Sequence, residues 1–409
     1  MAEVPVVQIL DKKNYFKQAL VALPNALPLP ALKESSLRIR TEVLCLTSNN
    51  FTYCKLGELL HWWDVHPIPP SAPAPYNDAS TYGRINCWGY AKVIESTFDS
   101  VPKGSYVFGY LPIGTLPLDF EVKAGNVPGQ FIVTETYRQQ QLPIYNRYFV
   151  FPETLGKEIE AKADTIAYDA LVSIMHLTGY LMTQFMFPPD PTQSVNLKPE
   201  QADLTDATII NFAPGSKVGL AFTYLLRNQR TTAKPRRILG AASEYSRAFV
   251  QTTGLYDEVA TTSADPLDVL SRLDTPKDEK VVIFDFGGRA GVAWKWAAAI
   301  KSAYPRTQVV GVGAEVSDPE TEAGGPPVQR PDGVDVAQVM ADSLQTAAMR
   351  RVGEREYFEG LNASWERLRR EGFKGFRVKW GEGMEAVKEG WDKFARAEVH
   401  ADEGLVFKL

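Results

Sequence analysis

From residue 207 onward, apolar runs of strand length alternate with stretches of helical period. "ATIINF" (207–212), "RRILGAAS" (236–243), "YDEVATT" (256–262), "KVVIFDF" (280–286) and "TQVVGVG" (307–313) read as strands. Between them, "KVGLAFTYLLRN" (217–228), "SRAFVQTTG" (246–254), "LDVLSRL" (267–273) and "GVAWKWAAAIKSAY" (291–304) read as helices. Strands this apolar must be covered on both faces, and alternating helices do so around a parallel sheet. The pattern predicts a doubly wound α/β sheet of the dinucleotide-binding type. "EVSDPETEAGGPPVQRPDG" (315–333) reads as a loop or insertion.

The chain before this series has another texture. "LRIRTEVLCLTS" (37–48), "WGYAKVIES" (88–96) and "SYVFGYLP" (105–112) are strands bounded by Pro and Gly, so a β-rich domain is expected. "HPIPPSAPAPYNDAS" (66–80) is too proline-rich for anything but an extended loop. A long helix is expected over 158–186 and a polar loop over 188–204. At the other end, "GMEAVKEGWDKFARAE" (383–398) is an amphipathic helix and "GLVFKL" (404–409) a closing strand. Three units are expected: a β-rich substrate domain over 1–155, the dinucleotide-binding domain over 156–350, and a segment over 351–409 that returns to the first.

Bulk properties narrow the function classes. A chain of 409 residues with 44% hydrophobic and 23% charged residues has material for two cores. Its net charge of -5 gives no electrostatic case for nucleic acid or an anionic membrane. The apolar stretch 166–187 contains Asp169, His176 and Gln184 and reads as a buried helix, not a membrane span. Cys45, Cys54 and Cys87 are too few and too irregular for a disulfide framework or structural zinc, which fits a cytoplasmic setting.

The first strand–turn–helix of such a sheet is where a pyrophosphate is held. Here the turn reads "NFAPGSKVGLA", without G-x-G-x-x-G. Gly215 is expected to allow close approach, Ser216 and Lys217 to contact phosphate, and Val218, next in the helical turn, to bind the cofactor with them. Gly219 is expected to permit helix–sheet contact. An ordinary βα turn with a serine cap is the competing reading. The second strand ends at Ser243 with Arg247 four residues on, a pair that suits a 2′-phosphate and favours NADPH. Phe286, Gly287 and Gly288 end the fourth strand, where a nicotinamide is expected.

The order of units, and the stretches "LTSNNFTYCKLGE" (46–58), "GRINCWGYAKVIES" (83–96), "GSYVFGYLPIG" (104–114), "LPIYNRY" (142–148), "APGSKVGLA" (213–221) and "GLYDEV" (254–259), resemble the medium-chain dehydrogenase/reductase superfamily. Within it they resemble an uncharacterised microbial reductase-like group. The resemblance implies a GroES-like first domain and a Rossmann-type second one. The stretches matching the superfamily's catalytic zinc positions read "SNNFTY" and "WGYAKV", so a zinc-free protein is expected. Pro214 stands in the phosphate turn, where it removes one N–H.

By the same resemblance, Asn49, Asn50 and Tyr53 lie on a substrate-facing loop, and Tyr145 and Asn146 at the domain junction. A phenol ionises near pH ~10, so a hydrogen-bonded Tyr53 or Tyr145 is a candidate acid. Trp88 and Tyr110 are expected to wall the cleft, and His61 and His66 to reach it as proton donors. The aromatic content suits a small apolar substrate, polyketide-like or aromatic. The leading reading is an NADPH-dependent reductase of an enone or ketone. A non-redox isomerase or cyclase without cofactor is the second reading, and a binding protein without turnover the third. A homodimer is expected as the assembly.

Overall fold

Strand Thr208–Phe212 is buried at every position and lies at the centre of a six-stranded sheet. Its neighbours are Arg237–Ala242 and Val281–Asp285, both parallel to it and in register, with Thr208 opposite Arg237 and Val281. Numbered along the chain within this sheet, the order is 3-2-1-4-5-6. That is the doubly wound order, with its switch point between Phe212 and Asp285 at the carboxyl edge. The computed structural model describes residues 3–313 and 331–409. All but the last residues of the expected insertion 315–333 lie outside them. The sixth strand, Asp335–Gln338, carries no apolar run to announce it and was not expected.

The β-rich domain is a closed barrel. Strands Ser36–Leu46, Asn86–Ser96, Tyr106–Pro112, Arg147–Phe151, Gln130–Val133 and Leu118–Ala124 follow one another, and the last pairs back to the first. Leu37, Val93, Phe120, Phe131 and Tyr148 fill it. A Cβ at Gly89 would stand 2.0 Å from the Val43 carbonyl oxygen, so only glycine permits the irregular pairing of the first two strands there. A separate three-stranded sheet from Val6–Asp11, Gln18–Ala22 and Tyr82–Gly83 flanks the barrel. The proline-rich loop packs Ile68 and Ala72 against that sheet.

The closing strand Glu403–Lys408 runs antiparallel to Ser36–Leu46, with Leu405 opposite Leu46. Arg377–Glu382 pairs parallel to it and helix Gly383–Ala395 connects the two. Trp391 of that helix is fully buried, stacks on Phe51 at 4.5 Å and donates from Nε1 to the Tyr15 carbonyl. The expected helix over 158–186 is broken. Leu155–Glu160 ends before Lys162, which is left-handed at φ 51°, and Asp164–Leu181 then runs into a π-helical turn at Met182–Met186.

Helix Asp164–Leu181 touches both domains. Gly179 packs against the backbone of Phe222 in the parallel-sheet domain, where a Cβ would come within 3.1 Å of its nitrogen. On another face, His176 Nε2 lies 2.8 Å from Ser364 Oγ. His176 is fully buried, and burial lowers its pKa from 6.5 to about 3. Above 6.5 neither state binds the proton. As pH falls toward 3, only the unfolded chain takes it up, so stability is lost. The urea midpoint should fall between these limits with a slope worth about 1.4 kcal/mol per pH unit from this residue. His176→Gln should remove that share of the slope; an unchanged slope would refute the assignment.

Candidate dinucleotide edge and aromatic cleft

The turn after the first strand is built without the usual glycines. Ala213 takes a left-handed conformation at φ 50°, and Ser216 N closes the turn on its carbonyl at 2.9 Å. Ser216 caps helix Lys217–Tyr224, its Oγ accepting from Gly219 N at 3.2 Å. This leaves the Lys217 and Val218 N–H groups, which have no intrahelical partner, at the sheet edge. Gly219 is tight against the Ala213 carbonyl and Phe286, as helix–sheet contact requires. The carbonyl of Pro214 accepts from Tyr256 Oη at 2.8 Å.

Two of the expected phosphate contacts lie elsewhere. Lys217 turns its ammonium under the closing strand, where Nζ donates to the Glu403 carbonyl at 3.3 Å and lies 5.3 Å from the Phe376 ring centre. Burial lowers its pKa to about 8. Gly215 faces the chain itself. A Cβ on it would stand 3.3 Å from both Ala401 and Val250. Beside it, His400 stacks on Tyr245 at 4.5 Å and bonds its Oη at 2.7 Å. The segment before the closing strand thus lies over the phosphate turn.

The next βα turn is open. Ser243 caps helix Glu244–Thr253 through Ser246 N, and its Oγ lies 3.0 Å from Ser246 Oγ. Arg247 is exposed and makes no ion pair among the described residues. After the fourth strand, Asp285 Oδ1 accepts from the N–H groups of Gly287 at 3.0 Å and Gly288 at 2.6 Å. Gly288 abuts Phe212 at the switch point, and Phe286 is buried against Phe222. In kind, these groups fit a phosphorylated dinucleotide: hydroxyls and a free guanidinium at the second turn, helix N–H groups at the first.

The second cluster is aromatic. Asn49, Asn50 and Tyr53 sit on helix Ser48–Lys55, not on the expected loop. Tyr53 Oη accepts from Asn49 Nδ2 at 2.6 Å and from Trp88 Nε1 at 3.0 Å. Tyr145 meets Tyr53 edge-on at 5.9 Å and Tyr110 at 4.7 Å, and Trp62 packs on both Tyr53 and Tyr145. Burial pushes the Tyr53 and Tyr145 phenols well above their usual range. Both stay protonated at neutral pH. They are therefore poor proton donors but good hydrogen-bond donors to a developing oxyanion. Tyr110 is fully buried and its Oη has no hydrogen-bond partner among the described residues.

Several expected contributors are engaged elsewhere. Asn50 accepts from Thr47 N at 2.8 Å and donates to the Asn86 carbonyl at 2.8 Å, so its amide ties the helix to the barrel. Asn146 is buried and exchanges hydrogen bonds with Arg138. His61 is on the surface, paired with Asp64 at 3.0 Å. His66 is buried against Phe120, on the barrel's core side. A groove of about 740 Å³ beside Tyr168, Tyr224 and Arg369 contains none of the expected residues.

Residues 44–400 match the family described as "Protein of unknown function (DUF2855)". The chain belongs to the DUF2855 family. No curated protein matches it. Among solved structures, a mutant form of enoyl thioester reductase from Candida tropicalis is similar at TM-score 0.56 and 13% identity, covering 100% of each chain. The CurF ER cyclopropanase from the curacin A biosynthetic pathway is similar at 0.55 and 11%, covering 99% of each. CurA in complex with NADPH from Vibrio vulnificus is similar at 0.54 and 12%, covering 98% of each. At such identities the likeness is one of fold: a GroES-like barrel joined to a Rossmann-type sheet.

Among the described residues of this DUF2855 chain, no three His, Cys, Asp or Glu side chains converge as a metal site, and no helix is long and apolar enough to cross a membrane. Three features escaped sequence reading. Trp62 was visible in "HWWDV" as an aromatic but carried no positional signal. Tyr256 reaches the first βα turn from 42 residues away along the chain, and His400 meets Tyr245 across 155 residues, with no local pattern to mark either.

Proposed function

We propose that the protein is an NADPH-dependent reductase of a conjugated double bond in a small, largely apolar carbonyl compound. The observation that carries this reading is the second βα turn, where Ser243, Ser246 and the unpaired Arg247 stand at the end of the second strand. Arginine recognises phosphate through a planar fork, and no ion pair here competes for it. NADPH bound at this edge would supply a hydride to the β-carbon, and the enolate so formed would take its α-proton from water. The chain's own work is to exclude water with Trp62, Trp88 and Tyr110, and to direct phenol hydrogens at the carbonyl oxygen as it gains charge.

Titration with NADPH and with NADH, followed by tryptophan fluorescence, tests this. A charge-assisted contact to the 2′-phosphate predicts NADPH preferred by about 10–100-fold. Arg247→Ala should abolish the preference while sparing NADH affinity. Absence of NADPH binding at millimolar concentration would sink the reading. A non-redox isomerase or cyclase then becomes the better account, favoured by Ala401 against Gly215 and by the inward-turned Lys217. Conversion of an aryl enone without cofactor would be its signature.

A further inference from the structure

Against the carbonyls of Tyr145 and Tyr110 lies a group of buried side chains that the proposed reaction does not use. Arg84 is 2% exposed and Arg138 fully buried, and neither makes an ion pair among the described residues. Arg84 Nε and Nη2, Arg138 Nη1 and His66 Nε2 are all buried without a hydrogen-bond partner among the described residues. The remaining nitrogens of Arg138 are engaged: Nε donates to Asn146 Oδ1 at 3.0 Å, and Nη2 to the Tyr145 carbonyl at 2.7 Å and to Tyr148 Oη at 3.3 Å. Phe120 joins the group, stacking on His66 at 6.0 Å and lying 5.0 Å beneath Arg138. Tyr148 Oη donates in turn to the Tyr110 carbonyl, which lies against the His66 ring.

Such an arrangement is costly alone. A buried guanidinium without a counter-charge loses hydration that nothing returns. The one carboxyl acting on Arg138 is Glu135, itself pushed up by burial. Two guanidinium groups against one carboxyl leave a single positive charge. Both Arg84 nitrogens left unpaired lie on one edge of the guanidinium, the edge that receives two oxygens of a planar anion side by side. We infer that Arg84 and Arg138 form a buried receptor for one small oxyanion of the carboxylate class, beside the neutral His66 and held apart from the proposed reductase site. Loops 60–66 and 138–146 are then fastened to the barrel through it, because Gln141 Nε2 already ties the Leu60 and His61 carbonyls to the second loop.

The test uses the full chain, desalted into a bulky sulfonate buffer. Ion chromatography after denaturation should release one carboxylate per chain. If the anion exchanges, sodium acetate should instead raise Tm saturably by about 3 °C over sodium chloride at equal ionic strength. Arg84→Met should lower Tm and lose both signals. The inference is overturned if wild type shows neither release nor an acetate response. It is also overturned if Arg84→Met melts higher than wild type, as replacing an unpartnered buried cation by an apolar side chain would make it. A response to cinnamate but not to acetate would overturn it as well, assigning the cations to a substrate carboxylate.

Discussion

Asp169→Ala should lower stability by about 2–6 kcal/mol, the largest single loss expected outside the barrel core. Asp169 is 6% exposed and joins three elements. Its Oδ2 accepts from Tyr90 Oη of the barrel and from Arg369 Nη1, each at 2.9 Å, and its Oδ1 accepts from Trp365 Nε1 at 2.9 Å. Alanine leaves the Tyr90 hydroxyl and the Trp365 N–H buried without an acceptor. Arg369 has Glu366 at 2.9 Å to turn to, so the cost falls mainly on the two neutral donors. Burial raises the Asp169 pKa and Arg369 opposes the rise, so the predicted loss measures broken partners and not the net worth of the ion pair. Urea unfolding at neutral pH reads it. Asp169→Asn should lose about half as much, because one oxygen remains for Trp365. Equal, small losses in both variants would show that the helix is held by packing alone.

How far the sequence could be read followed the range of the interactions. The parallel sheet was legible because "ATIINF" and "KVVIFDF" are apolar at consecutive positions, and the fold accounts for them with strands buried on both faces. The sixth strand was not, since "DVAQ" is short and three of its four residues are exposed. Lys217 read as a phosphate ligand from its place at a helix start, yet its ammonium is claimed by Glu403 and Phe376 from the far end of the chain. Asn50 had a local signal that was passed over. Thr47 with a polar amide three residues on is a capping box, and such an asparagine is already spent. Arg84 and Arg138 both act on His66 from separate segments, so no spacing could have joined them.

Tyr145→Phe should lower kcat by about 10²–10³ with little change in KM, the loss expected when one donor to a developing oxyanion is removed. The measurement is NADPH oxidation with an aryl enone such as benzylideneacetone. Stability should fall little, because the ring keeps its contacts with Tyr110, Trp88 and Trp62 and only the hydroxyl's contact with Tyr53 is lost. Tyr53→Phe differs in kind. It strands Asn49 Nδ2 and the buried Trp88 Nε1 without their acceptor, at about 1–3 kcal/mol, while also disturbing the neighbouring phenol. The two substitutions thus separate donor from support. If Tyr145 acts on substrate, its variant loses rate and keeps stability, while the Tyr53 variant loses both. If the aromatic cluster is only packing, Tyr145→Phe leaves kcat untouched and Tyr53→Phe costs stability alone. Because burial holds both phenols protonated across neutral pH, the rate loss in Tyr145→Phe should also be independent of pH there. A loss that instead changed with pH would contradict this hydrogen-bonding role.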